Sequence, residues 1–182
     1  HFWLLSCIII REQKNGVKKQ MNKTGQQHFR SCFELYSKTI YAVAFSMMKN
    51  SADANDIMQE VFLKFYQNMD KLTDKAHIRP WLITVTVNTC RNTLRSGWFS
   101  KTTACDVSEE GSYNEDFGEK SDLFYAVMKL PEKERVPLHL FYYEGFSTAE
   151  IAGLLKMKES TVRVRIMRGR EKLKKLLKEE TV

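Results

Sequence analysis

Glycine and proline are scarce, with 8 and 3 copies in 182 residues. A fold of many short strands needs frequent turns, and turns draw on these two residue types. Their scarcity argues against an all-β fold and favours helices. Cysteine is also sparse. Its four copies, Cys7, Cys32, Cys90 and Cys105, form no C-x-x-C pair. That spacing argues against a zinc site or a thioredoxin-like centre and predicts the reduced thiols of a cytoplasmic protein. The histidines His1, His28, His77 and His139 are scattered and form no H-E-x-x-H, so they read as surface or packing residues. No apolar run approaches the roughly 18–20 residues of a membrane span.

The longest apolar run is Phe2-Trp3-Leu4-Leu5-Ser6-Cys7-Ile8-Ile9-Ile10. Its basic residues follow it, the reverse of a signal peptide, and no small-residue cleavage site is present. Residues 1–20 are expected to lie outside the native folded protein, because Met21 follows a lysine-rich stretch from Lys14 to Gln20. A short membrane-binding anchor is the competing reading.

What is present is apolar, aromatic and basic. Hydrophobic residues make up 43% and aromatics 12%, which excludes disorder throughout. Lys+Arg 29 against Asp+Glu 22 leaves +7, which points to a polyanionic partner. Phe29, Phe33, Tyr36, Ile40, Tyr41, Ala44 and Phe45 recur at helical spacing. Asn50-Ser51 carries cap chemistry, with Asp53 and Asp56 suited to a helix N-terminal turn. Ile57, Val61, Phe62, Phe65 and Met69 form the next stripe. Residues 70–76 read as a loop. A helix is expected from about Arg79 to Arg95, with Pro80 in its first turn and Trp81 in the core.

Thr102 to Asp122 differs from the rest. It holds seven acidic residues and one lysine, a net charge of −6, with little apolar content. It reads as a flexible acidic linker. Helical pattern resumes at Leu123 and breaks at Leu130-Pro131. A helix through Val136, Leu138, Leu140 and Phe141 follows. Ser147 or Thr148 then caps a helix Ala149–Leu155, and a short turn at 156–158 leads into a last helix from about Glu159 to Lys178. Two helices joined by so short a turn match a helix-turn-helix. Residues 154–182 carry ten basic and four acidic side chains, a net +6.

A helix advances about 100° per residue. With Val162 as origin, Ile166, Gly169 and Leu173 fall within about 40° of it and form the expected buried stripe, where Gly169 permits close helix approach. Ser160, Arg163, Val164, Met167 and Arg168 fall on the opposite half. Arginine can bind guanine in bidentate fashion, and an apolar side chain can meet a thymine methyl. Arg163 and Arg168 fit the first role, Val164 and Met167 the second. Arg165, Arg170, Lys172 and Lys174 flank this face within reach of phosphates. A solvated basic helix in an ordinary bundle is the plainer reading of the charge run alone.

The residues also carry a family resemblance. Asp53-Ala54-Asn55-Asp56-Ile57-Met58-Gln59-Glu60-Val61-Phe62 resembles the D-A-x-D-[IL]-x-Q-E-x-F signature of region 2 of bacterial sigma factors of the extracytoplasmic-function group, within the sigma-70 family. The segment from Pro80-Trp81-Leu82 through Asn88 to Leu94-Arg95 is similar to a second region 2 segment. Leu130-Pro131 with Arg135, Tyr143-Glu144-Gly145-Phe146-Ser147, Glu150-Ile151-Ala152 and Thr161-Val162-Arg163-Val164-Arg165 with Arg168-Gly169-Arg170 resemble region 4.

The resemblance implies an all-α chain of two small helical domains, 24–98 and 123–179, joined by an acidic linker at 99–122. It implies a cytoplasmic, non-catalytic factor that binds core RNA polymerase, through its β′ and β subunits, and promoter DNA. It implies an anti-sigma partner, no small-molecule substrate, no metal and no cofactor. Asp56, Gln59 and Glu60 would contact the polymerase. Asp70, Lys71, Thr73, Asp74 and Lys75 would lie in the loop that captures a flipped −10 base, a step that costs a few kcal/mol of unstacking. Asn88, Arg91 and Arg95 would approach the −10 DNA. Ser160, Arg163, Val164, Arg165, Met167 and Arg168 would enter the −35 major groove. The sequence departs from the family's pattern at Val164, Lys156 and Lys158, and Thr84 and Thr86 stand where relatives carry stronger helix formers. Two rivals stay open at this point: a helix-turn-helix regulator acting without polymerase, and a nuclease holding a metal on Asp53, Asp56 and Glu60.

Overall fold

The computed structural model describes residues 23–72, 74–95 and 122–179. The N-terminal stretch 1–20, Thr73 and the acidic linker up to Ser121 lie outside the described residues. Every regular element among the described residues is helical. An N-terminal unit comprises α1 (Lys23–Met48), α2 (Ser51–Asn68), a 3₁₀ turn (Met69–Lys71) and α3 (Lys75–Arg95). A C-terminal unit comprises α4 (Asp122–Lys129), α5 (Glu132–Tyr142), α6 (Thr148–Leu155) and α7 (Glu159–Glu179).

Aromatic residues knit the N-terminal unit. Phe33 of α1 meets Phe62 of α2 at 4.7 Å between ring centroids, and Phe29 lies edge-on to Phe62 at 6.2 Å. Phe65 stacks on Phe29 at 6.1 Å and reaches Trp81 of α3 at 6.2 Å. Trp81 is half-buried against this cluster, as its core assignment anticipates. Asn50 caps α2, its side chain accepting from the Asp53 amide at 3.1 Å.

Helix α3 begins at Lys75, four residues before its expected start, so Pro80 sits inside it rather than at its edge. Asp74 supplies the reason: its carboxylate accepts from the Ala76 amide at 2.9 Å, an N-terminal cap not anticipated from the sequence. The buried Thr86 hydroxyl donates to the Leu82 carbonyl at 2.8 Å, and Thr84 does the same to Pro80 at 2.7 Å. Back-bonding of this kind is how a helix accommodates a threonine hydroxyl without an orphan donor.

In the C-terminal unit α7 packs on α5, α6 and α4. Gly169 is where α7 comes closest to α5: a Cβ there would lie 3.0 Å from Leu138 Cδ1 and 3.5 Å from the Glu134 carbonyl. The two units are in contact, and one apolar cluster runs from Phe29 through Val87 to Val136, Leu140 and Ile166. Polar bonds cross the same boundary. Arg135 is 2% exposed, and its Nε donates to the Ser46 carbonyl at 2.6 Å. Arg79 donates to the Glu144 carbonyl at 2.7 Å and pairs with its carboxylate at 2.8 Å. Arg91 donates to the Leu155 carbonyl at 2.8 Å.

Candidate nucleic-acid interface

The C-terminal unit builds its candidate reading face from two capped helices. Ser147 begins α6 with a full capping box: its hydroxyl accepts from the Glu150 amide, and the Glu150 carboxylate accepts from the Ser147 amide at 2.8 Å. Lys156 ends α6 in the left-handed region, φ 50°, where glycine is the ordinary occupant. Its amide and that of Met157 satisfy the last carbonyls of α6, Ala152 and Gly153. The turn to α7 is thereby held short. Thr148 at the start of α6 donates to Glu159 at the start of α7, at 2.6 Å, which fixes the angle between the two helices.

That geometry points one face of α7 inward and the other outward. Val162, Ile166 and Gly169 are buried. Ser160, Arg163, Val164, Met167 and Arg168 are exposed, and Arg165 is half-buried at their flank. Val164 and Met167 are large apolar side chains left 39% and 51% exposed between arginines. An apolar group in that setting gains only by meeting another surface. Arg163 rests on Glu159 at 2.7 Å within its own helix, an exposed pair of the kind that water and salt weaken. Its guanidinium is therefore free to exchange that partner for a base or phosphate.

The Glu150 carboxyl is held below the usual carboxylate range by its hydrogen bonds from the Ser147 side chain and amide. A depressed folded-state pKa contributes stability present above about pH 4.5 and lost as pH falls through the lowered value. Ser147→Ala is expected to lower stability by about 1 kcal/mol at neutral pH. It should also remove the part of the acid dependence that belongs to this cap. Parallel denaturant titrations of both proteins at pH 7 and pH 3.5 check this, and an identical loss at both pH values refutes it.

The N-terminal unit distributes its candidate residues over three places. Asp56 and Glu60 are exposed on α2 and Gln59 is half-buried beside them, a contiguous surface. Glu60 pairs with Lys64 at 2.6 Å. Burial, then the nearby Asp56 charge, push the Asp53 carboxyl upward. Among the described residues no three His, Cys, Asp or Glu side chains come together to hold a metal. The exposed Asp70, Lys71, Asp74 and Lys75 gather at the α2–α3 junction, where Asp74 also meets His77 at 3.1 Å. Thr73, between them, is outside the described residues.

Asn88, Arg91 and Arg95 are not part of that junction. They follow one another at helical spacing, and Asn88 lies about 20 Å along α3 from Lys75 at 1.5 Å per residue. Arg95 is exposed, Asn88 half-buried, and Arg91 turns toward the C-terminal unit. Arg79, Arg135 and Glu144 were not singled out as functional by their pattern. Their partners lie 65 to 89 residues away in the chain, and no local period encodes such a pairing.

Two family models match this chain in the order of its two units. Sigma-70 region 2 matches residues 32–99, and sigma-70 region 4 matches residues 122–173. The chain belongs to the sigma-70 family. Among its relatives is the extracytoplasmic-function sigma factor SigW of Bacillus subtilis, 29% identical over 177 residues, covering 88% of this chain and 95% of SigW. SigZ of the same organism is 30% identical over 130 residues, covering 68% of this chain and 72% of SigZ. A solved structure of similar fold is the sigma factor RpoE from Bartonella quintana, crystallised in complex with the anti-sigma factor NepR. It matches with a TM-score of 0.68 at 22% identity, over 84% of this chain and 98% of that one. In this family member the region 2 match spans most of α1 and all of α2 and α3, and the region 4 match spans the helix-turn-helix.

The C-terminal unit carries one more surface. An apolar groove of about 640 Å³ opens between α4, α5 and the end of α7, lined by Leu123, Val127, Leu138, Tyr142 and Leu173, with Arg170, Lys174 and Lys178 around it. Among the described residues the free thiols, Cys32 and Cys90, are buried. Burial pushes the Cys90 thiol up to about 12 and raises Cys32 as well, which leaves both unreactive at neutral pH.

Proposed function

We propose that this sigma factor works as a cytoplasmic, non-catalytic subunit that carries core RNA polymerase to promoters and helps open them. The observation that supports this most is the pairing of both family regions, in order, with an outward-facing basic and apolar helix on the second. Asp56, Gln59 and Glu60 form the polymerase contact on α2. Asp70, Lys71, Thr73, Asp74 and Lys75 receive a flipped base of the −10 element, and Asn88, Arg91 and Arg95 follow its strand along α3. Ser160, Arg163, Val164, Arg165, Met167 and Arg168 read the −35 element, with phosphate contacts setting register and base contacts setting sequence.

A protein partner is expected on the apolar groove of the C-terminal unit, whose lining is unsuited to solvent. An anti-sigma factor joins core polymerase as a partner, by likeness to the sigma factor solved with NepR. The family membership leaves little room for a regulator that works without polymerase. A metal-dependent nuclease needs carboxylates that converge, whereas Glu60 is engaged by Lys64 and no three ligating side chains come together among the described residues.

Run-off transcription with purified core polymerase tests the assignment. A promoter-dependent transcript is expected, and its absence sinks the sigma reading. Arg163→Ala is expected to weaken binding to the −35 element by about 1–3 kcal/mol and to relax specificity at one position. Fluorescence anisotropy on matched and altered −35 duplexes checks this. A uniform loss on every sequence would assign Arg163 to phosphate instead.

A further inference from the structure

The short turn between α6 and α7 holds two lysines at positions where local physics favours other residues. Lys156 takes φ 50° and ψ 52°, a left-handed conformation that glycine adopts freely and a lysine does not. Lys158 precedes the first residue of α7, and its carbonyl accepts from the Thr161 and Val162 amides at 3.0 and 3.2 Å. It therefore stands at the helix N-cap. Serine, threonine, aspartate and asparagine suit that position, because a side-chain oxygen can accept from a free helix amide. A lysine side chain has no acceptor to offer. Its charge also meets the positive end of the dipole of a 21-residue helix. The end of α6 does favour the Lys156 charge, but that leaves the Lys156 backbone and the Lys158 position without a reason in the fold.

The surroundings sharpen the question. Met157, between the two, packs on the apolar cluster, whereas Lys156 and Lys158 are exposed. Glu159, the next residue, has its carboxylate engaged by Thr148 at 2.6 Å and by Arg163 at 2.7 Å. The turn thus adds two positive charges to those of Arg163, Arg165 and Arg168 in the first half of α7. Like charges gathered in this way repel one another unless a polyanion lies against them. Val164 and Met167, apolar and exposed among the same arginines, mark that half of the helix as a surface to be covered.

We propose that Lys156 and Lys158 hold DNA phosphates at the rim of the −35 major groove, and that the turn keeps them there against its own conformational preference, an assignment that rests on the −35 reading above and extends it upstream of Ser160. A recognition helix enters the groove with its N-terminal residues foremost. The turn just before Glu159 then comes level with the backbone that flanks the groove. A lysine reaches a phosphate on a flexible four-carbon stem and binds it as a point charge with three donors. Such contacts fix the register of the helix, while Arg163, Val164, Met167 and Arg168 remain the residues that face bases. A position that breaks a local rule without a structural return is where function is to be sought. Here two such positions lie two residues apart, beside the same helix end.

Stability and DNA binding should move in opposite directions when the turn is repaired. Lys156→Gly and Lys158→Ser give each position the residue its backbone favours, and each is expected to raise the thermal unfolding midpoint of the full chain by about 2–4 °C. Each is also expected to reduce the steepness of log binding constant against log salt by about 0.9, and the double variant by about 1.8. Fluorescence anisotropy with a mixed-sequence duplex of about 30 base pairs, between about 50 and 200 mM KCl, reads that slope. The reduction should be the same on a duplex of unrelated sequence, as phosphate contacts require. Lys156→Arg/Lys158→Arg keeps both charges and the wild-type slope. Lys133→Ser is the control for net charge: it removes one exposed charge from the start of α5, which packs at Gly169, about 15 Å along α7 from Glu159. A glycine–serine double variant with the wild-type slope overturns the contacts, and so does a Lys133→Ser slope reduced as much as that of Lys158→Ser. A double variant no more stable than wild type overturns the claim that the turn holds its lysines against preference. If the slopes shift as stated while run-off transcription gives no promoter-dependent transcript, the sigma reading falls and the phosphate contacts stand.

Discussion

Phe62→Ala lowers the free energy of unfolding by about 3–5 kcal/mol, among the largest losses expected from one substitution. Phe62 is completely buried, and its ring meets Phe29 and Phe33 of α1 as well as Phe65 of its own helix. Truncation removes the transfer energy of the ring and leaves a cavity bounded by other rings on more than one helix. Those rings cannot collapse into it without moving α1 against α2. Phe62→Leu keeps much of the volume and should cost far less than the alanine change. Guanidinium titration of the full chain, followed by circular dichroism, measures both. A loss below about 1 kcal/mol for Phe62→Ala would mean that the cluster tolerates a void, contrary to its packing.

Arg135→Ala comes next, with an expected loss of about 3 kcal/mol, because removing a buried hydrogen-bonding group leaves its partners unsatisfied. Its guanidinium serves the carbonyls of Ser46, Leu130 and Met128, in both units at once. Arg135→Lys keeps the charge and loses the planar fork that reaches several acceptors, so it should recover only part of the loss. Thermal unfolding of the three proteins ranks them, and the expected order is wild type, then lysine, then alanine. A lysine variant as stable as wild type would show that charge alone, and not the fork, holds the position.

The expectations from sequence differ in how local their physics is. The helical stripes of α1 and α2, the Asn50 cap, the Ser147 cap and the buried Val162, Ile166 and Gly169 all follow from neighbours within four residues. They stand in the structure where the pattern puts them. The start of α3 is the exception of that kind. Pro80 reads as a first-turn residue, yet the Asp74 cap lies one turn further upstream, so the proline stands inside the helix, where its missing amide leaves the Ala76 carbonyl without the usual helical partner.

The candidate site was legible on α7, where a single helix presents Ser160, Arg163, Val164, Met167 and Arg168 on its exposed half, with Arg165 at their flank. The region around the −10 candidates was less so. The sequence reading places them in a loop and on the helix after it, and they occupy the α2–α3 junction and a separate stretch of α3, but Arg91 is turned onto the other unit, which no local pattern encodes.

Sequence alone therefore determined the helical class, the order of the two units, the charge polarity and the outward face of α7, because each depends on residue type and short-range periodicity. The tertiary structure decided how the units meet: which arginines cap which helix ends, and that Arg135 is buried between them. Those contacts join residues 64 to 89 positions apart. An arginine written in a sequence carries no mark of whether its guanidinium will meet water, a phosphate or the end of a distant helix. Only packing, which places a carbonyl within reach and removes the competing water, makes that choice.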